Sequence, residues 1–239
     1  IGPLVIPPTQ QAEWTLSDDV FAVDDVNFNT EKEEGLIIHA TFDEKVGSSS
    51  PANGTIVALN GSPGPYVTPG KIGNALYTPN DRGTYDDNII SLGAHSSDCL
   101  GNVNLCPEGV TISFWMNLPT QQIRYTMAFV GPSFRLFCNT PTTNPRCNFR
   151  LYNGTHRWYE GVKIIYNYWH LVGITYTASD GFEFYFDGYR IDQLSVIAET
   201  NTYTNLEFGC NSGQHCSKGN YDDLRVWSEK KDTNFMWLL

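Results

Sequence analysis

Phe182-Glu-Phe-Tyr-Phe-Asp-Gly-Tyr-Arg-Ile-Asp192 is the stretch that decides the fold class. Two runs rich in aromatic and β-branched residues flank Asp187-Gly188, a dipeptide that supports the positive φ angles of a tight hairpin turn. Upstream, Tyr168-Trp-His-Leu-Val-Gly-Ile-Thr-Tyr-Thr177 and Val110-Thr-Ile-Ser-Phe-Trp-Met-Asn-Leu118 read as longer strands. Gly35-Leu-Ile-Ile-His-Ala-Thr-Phe42 puts Leu36, Ile38, Ala40 and Phe42 on one face, the two-residue period of a half-buried strand. Shorter strands are expected at 55–59, 75–77, 89–92, 125–130, 134–138, 149–152, 206–209 and 221–227. No helical period appears anywhere. Many short strands divided by turns describe an antiparallel sandwich or barrel, not alternating βαβ units.

Residues 1–34 differ from the rest of the chain. Ile1-Gly-Pro-Leu-Val-Ile-Pro-Pro8 is an apolar, proline-punctuated segment that cannot sit inside a sheet, and Glu31-Lys-Glu-Glu34 closes the arm with charge. The start does not read as a signal peptide, because it has neither a basic region nor an apolar h-region. The expected organisation is an extended arm (1–34), one β domain (35–228) and a C-terminal tail (229–239). Arm and tail are each apolar enough either to contact a neighbouring subunit or to fold back across their own sandwich.

The composition narrows the function. Aromatic residues make up 13% of the 239 and charged residues 17%, which suits sheets better than charge-faced helices. A formal net charge of −11 argues against nucleic acid, since no basic patch would meet the phosphates. No apolar run reaches the ~18 residues a membrane helix needs, so no membrane insertion is expected. The six cysteines fall in three close couples, Cys99 with Cys106, Cys138 with Cys147 and Cys210 with Cys216. Nearest-neighbour bridges are the favoured pairing because each couple flanks a turn. Three N-glycosylation sequons, at Asn53, Asn60 and Asn153, join the cysteines in pointing to an oxidising, extracellular or cell-surface setting.

Seven segments, in order, carry a family resemblance: Gly35-Leu-Ile-Ile-His-Ala-Thr-Phe-Asp43, Gly70-Lys-Ile-Gly-Asn-Ala-Leu76, Val110-Thr-Ile-Ser-Phe-Trp115, Trp169-His170, Phe184-Tyr-Phe-Asp-Gly188, Leu206-Glu-Phe-Gly209 and Tyr221-Asp-Asp-Leu-Arg-Val-Trp227. Together they resemble the laminin-G-like, concanavalin A-like jelly roll, over residues 35 to 228. The stretches 98–107 and 138–147 and the N-terminal arm depart from it. The resemblance implies an all-β, two-sheet antiparallel jelly-roll sandwich, usually extracellular, in adhesion, matrix and carbohydrate-binding proteins. It also implies calcium in many members, held here by Asp43 after the first core strand and Asp222 in the closing strand. Trp115, Trp169 and His170 would be core or near-core packing residues in that scheme.

Catalytic patterns are weak. Glycoside hydrolysis needs two facing carboxylates, and the nearest candidates, Glu183 and Asp187, stand roughly 13 Å apart along a strand. There is no Gly-x-Ser-x-Gly elbow, and the five histidines share no metal spacing. Asp86-Asp87-Asn88 is a second acidic turn where calcium is an alternative to plain solvation. Trp158 and Tyr159, beside His156 and Arg157, are the candidate sugar-stacking residues, with burial in the sheet as the competing reading. The expectation is a non-catalytic extracellular recognition module for a glycan or glycoprotein, with calcium as its cofactor. The alternatives are a structural subunit that self-assembles through its arm and tail and, remotely, a glycoside hydrolase.

Overall fold

The computed structural model describes residues 34–43, 57–58, 66–79, 90–94, 102–119, 126–130, 134–139, 145–151, 157–158, 161–195, 205–209 and 218–239. In chain order the first strands are β1 (Leu36–Ala40), β2 (Val57–Ala58), β3 (Tyr66–Pro69), β4 (Asn74–Thr78), β5 (Ile90–Ala94) and β6 (Val110–Asn117). Then come β7 (Thr126–Val130), β8 (Phe134–Asn139), β9 (Arg146–Leu151), β10 (Arg157–Trp158) and β11 (Val162–Lys163). β12 (Trp169–Thr177), β13 (Gly181–Phe186), β14 (Tyr189–Leu194), β15 (Asn205–Phe208) and β16 (Gly219–Trp227) complete the set, followed by one helix, α1 (Thr233–Leu238).

The strands form the expected two-sheet jelly-roll sandwich. One sheet runs β14-β13-β12-β6-β16-β4-β3, with β1 also on β16; the other runs β10-β9-β8-β7-β15-β5-β2, with β11 on β9. The strand pairs are antiparallel. Alternation sends Val110, Ile112, Phe114 and Met116 of β6 and Phe182, Phe184 and Phe186 of β13 inward, against Leu136, Phe149, Leu206 and Phe208 of the facing sheet. Phe114 meets Phe208 edge-on with centroids 4.9 Å apart, and Phe149 lies 4.3 Å from Phe184. Each such ring contributes about 1.5–3 kcal/mol by leaving water. The Asp187-Gly188 turn is as expected: both residues have positive φ, 50° and 81°.

β1 departs from strict alternation. Ile38, Ala40 and Phe42 enter the main core, but a register shift between Leu36 and Ile38 turns Leu36 to the other side of the sheet. An extra residue in one strand reverses the facing of whatever precedes it. There Leu36 packs with Tyr185, Trp227, Phe235 and Met236.

Phe235 and Met236 belong to α1, so residues 229–239 lie folded back over their own sheet. Asp232 caps the helix by accepting from the Phe235 N–H at 2.8 Å. Thr111, on the outer side of β6, accepts from the Lys231 N–H and donates to the Glu229 carbonyl, both at 2.8 Å. Gly173 makes room for the helix: a Cβ there would collide with Met236 Cε and come within 3.1 Å of Tyr185. Six residues are too few to show a helical period, which is why α1 was not legible in the sequence.

Cys138 and Cys147 face each other across the β8–β9 hairpin and are bonded. Cys106 is also disulfide-bonded. Cys99, Cys210 and Cys216, the sequons at Asn53, Asn60 and Asn153, the acidic turn at 86–88 and the arm to residue 33 lie outside the described residues.

Candidate functional site

The outer face of the β6-bearing sheet, against which α1 packs, carries a cleft of about 290 Å³. Lys71, Trp115, Tyr168, Trp169, Asp187 and Trp237 give it its chemistry. Its volume is at the small end of ligand pockets, which run on the order of 300–1,000 Å³.

Trp115 and Trp169 are at alternate, outward positions of β6 and β12. Trp115 pairs with Leu171, and Trp169 with Asn117 one step along. Tyr168 precedes β12 after a turn at Asn167 (φ 59°) and is 58% exposed. Trp237 comes from α1 and lies over the β13–β14 turn, edge-on to Tyr189 with centroids 4.3 Å apart. Gly188 permits this approach, because a Cβ there would stand 2.9 Å from the Trp237 ring.

Asp187 is held from two sides. One oxygen accepts from the Leu171 N–H at 2.9 Å, and the other meets His170 Nδ1 at 2.8 Å. His170 Nε2 stands 3.1 Å from the Ile165 N–H and 3.3 Å from the Ile165 carbonyl oxygen, so the ring is pinned between residue 165 and Asp187. His170 is buried on the inner side of β12, a structural histidine that orients the acid at the cleft.

Lys71 reaches the cleft from the β3–β4 turn, with its ammonium 4.7 Å above the Trp115 ring, a cation–π contact. Two aspartates fasten that turn. Asp222 Oδ2 accepts from the N–H groups of Lys71 (2.7 Å) and Ile72 (2.8 Å), and Asp43 Oδ1 accepts from the Asn74 N–H (2.7 Å). They meet here because β16 changes neighbours: β4 pairs along Gly219–Tyr221 and β1 along Leu224–Trp227. At the handover the register against β6 shifts, and Asp223 takes φ 46°. Burial opposes charge on Asp223, but His39 Nε2 at 2.7 Å and Arg225 hold its carboxyl below the usual range. Among the described residues no cation pairs with Asp222. Burial, with Asp223 adding repulsion, pushes it up to about 6 against the pull of the two turn N–H groups. Its Oδ1 and the Trp115 Nε1 are both buried without a hydrogen-bond partner.

The predicted residues thus divide. Asp43 and Asp222 do converge, but each commits an oxygen to the turn, and among the described residues no third carboxylate or imidazole joins them as a metal cage. Trp115 and Trp169, expected as packing residues, are half-buried walls of the cleft, since the sandwich core takes only the inward alternate of each strand. Trp158 falls in β10 of the other sheet, paired with Arg150, and Tyr159 lies outside the described residues. Lys71, Tyr168 and Trp237 were missed. Their shared signal was an exposed aromatic or cation beside a turn, which one sequence cannot separate from ordinary surface.

No curated protein matches the chain in sequence. Among solved structures it is similar to domain 4 of an extracellular arabinanase from Geobacillus stearothermophilus, in complex with arabinotriose, with 17% identity, TM-score 0.62, and 84% of this chain and 96% of that one covered. It is similar too to the binding domain of Paraclostridial Mosquitocidal Protein 1 (11% identity, TM-score 0.65, 85% of this chain and 51% of that one). A structure of botulinum neurotoxin type C, described as entering cells through two ganglioside molecules, matches at 13% identity and TM-score 0.63, over 89% of this chain and 51% of that one. The chain spans about half the length of the two toxin chains, and at these identities the likeness shows the fold. A laminin-G family model, described as the concanavalin A-like lectin/glucanases superfamily, matches residues 92–232, well over half of the chain. With β1 closing on β16 beside the Asp222–Asp223 bulge, as the resemblance implied, the chain belongs to the concanavalin A-like lectin/glucanase superfamily.

Proposed function

We propose that this protein is a non-catalytic carbohydrate-binding module of the extracellular space, with the cleft on the outer sheet face as its binding site. The observation that carries the reading is the set of four aromatic side chains, Trp115, Tyr168, Trp169 and Trp237, gathered from three elements around one cleft. Apolar ring faces with polar edges suit sugars, whose C–H faces stack while their hydroxyls hydrogen-bond. Solved neighbours whose descriptions name arabinotriose and gangliosides support a glycan or glycoprotein partner. One neighbour is a domain of a glycoside hydrolase, but the lone carboxylate lining this cleft, Asp187, is engaged by His170 and the Leu171 N–H.

The test is binding to a glycan array followed by titration of the hits against wild type and Trp237→Ala. Trp237 is 51% exposed, so its loss leaves the core intact. Affinity should fall about tenfold, on the order of 1.4 kcal/mol. A hit whose affinity is unchanged in the variant places the site elsewhere.

Calcium stays as a secondary proposal at Asp43 and Asp222, favoured by the unpartnered Oδ1 of Asp222. Chelation should then lower the melting temperature and added calcium restore it. A melting curve indifferent to both rejects the site. The assembly alternative draws less support from the tail, because Phe235 and Met236 pack on the chain's own sheet.

A further inference from the structure

We infer that the cleft selects a sugar bearing an anionic group, a carboxylate or a sulfate, with Lys71 as the residue that recognises the charge. The inference rests on the proposal that the cleft binds a glycan, and it names the class.

Lys71 is the one cationic side chain among the described residues that line the cleft. Asp187, the one acid among the lining residues, has an oxygen engaged by His170 Nδ1 and the other by the Leu171 N–H. Beside it stand the Lys71 ammonium, which can only donate, and the phenol of Tyr168, which can donate or accept. Among the described residues no carboxylate lies within ion-pair distance of the Lys71 ammonium. Lys230, Lys231, Arg190 and Arg225 are each paired with an acid. Lys71 instead rests on the Trp115 ring. An exposed cation over an aromatic face, with no acid paired to it among the described residues, is short of a negatively charged group.

The position of Lys71 is built rather than accidental. Its backbone N–H is tied to Asp222, and the turn is held again at Asn74 by Asp43. Gly70 and Gly73 bring the two aspartates close: a Cβ on Gly70 would stand 2.6 Å from Asp222 Oδ2, and one on Gly73 would collide with Asp43 Oδ1. A ring stacked between Trp115 and Trp237 with its anionic substituent toward the turn would give Lys71 the charge partner it lacks. The overall charge of −11 works against anions at long range, so the selectivity must come from this contact and must weaken as salt screens it.

The experiment titrates the full chain with digalacturonate, galactose 6-sulfate and galactobiose by calorimetry, at low and at physiological salt. The panel is repeated on Lys71→Gln and Lys71→Arg, with melting curves to confirm folding. We expect one or both acidic sugars to bind at least tenfold tighter than galactobiose, and Lys71→Gln to erase that margin, measured against the variant's own galactobiose affinity. Lys71→Arg should keep most of the margin. Preference for the uronate alone assigns a carboxylate, and preference for the sulfated sugar alone assigns a sulfate. Equal binding of acidic and neutral sugars, or a margin that survives Lys71→Gln, overturns the inference and leaves glycan binding standing. Failure of every sugar, here and on the array, removes the glycan-binding reading itself and this inference with it.

Discussion

Replacing Asp222 by asparagine tests the turn that carries Lys71 at its anchor. In the wild type, one carboxylate oxygen takes two backbone N–H groups while the other is buried without a partner. Burial raises the group from the ordinary 3.8 to about 6. A raised folded-state pKa means that the native protein binds the proton more tightly than the unfolded chain does. The resulting stability is therefore fully present below about pH 3.8 and is lost as pH rises through 6. Between pH 7.5 and pH 5 the linkage relation gives a gain of about 1.4 kcal/mol, approaching about 3 kcal/mol at still lower pH. The asparagine side chain would keep an oxygen for the two N–H groups but has no proton to bind. The stability difference, wild type minus Asp222→Asn, should thus move in favour of the wild type by about 1.4 kcal/mol on going from pH 7.5 to pH 5. Urea unfolding of both proteins in chelator at three pH values measures it. A flat difference, or a wild type that loses ground as pH falls, refutes the reasoning, because folding then does not favour the protonated carboxyl. If calcium binds at this pair, adding it should remove the pH slope at neutral pH.

Two further outcomes rest on the packing. Gly173→Val drives a side chain into Met236 and Tyr185, so α1 should lift; a loss of about 1–3 kcal/mol in denaturant unfolding is expected, together with loss of the Trp237 wall and of ligand binding. Replacing both Cys138 and Cys147 by serine removes a bridge between residues nine apart and should cost about 2–3 kcal/mol, read as a lower urea midpoint. Non-reducing peptide mapping tests Cys99 with Cys106 and Cys210 with Cys216 at the same time, and a link between distant couples would reject those pairings.

Strand identity was the most legible layer. Alternation in Val110–Asn117 and Phe182–Phe186, with the Asp-Gly turn, depends only on a two-residue side-chain period and one dipeptide's φ preference. The missed strands Tyr66–Pro69, Arg157–Trp158 and Val162–Lys163 span only two to four residues, so they offered no period to read. The bulge that turns Leu36 outward was invisible because it belongs to the pairing of β1 with β16, not to β1.

By itself, then, the sequence determined the all-β class and the Asp187-Gly188 hairpin, which rest on local period and local turn chemistry. Asp43 and Asp222 were singled out through the family resemblance. Only the tertiary structure decided what the outward residues do. A strand's outer alternate can face water, a helix or a ligand at the same local free energy, and a distant segment settles the matter. Here that segment is α1, which settles on Gly173 and Gly188 and brings Trp237 to the cleft that Trp115 and Trp169 line. The Asp222 carboxylate likewise became a turn anchor because the sheet changes partners at that point and leaves two N–H groups of the β3–β4 turn facing it.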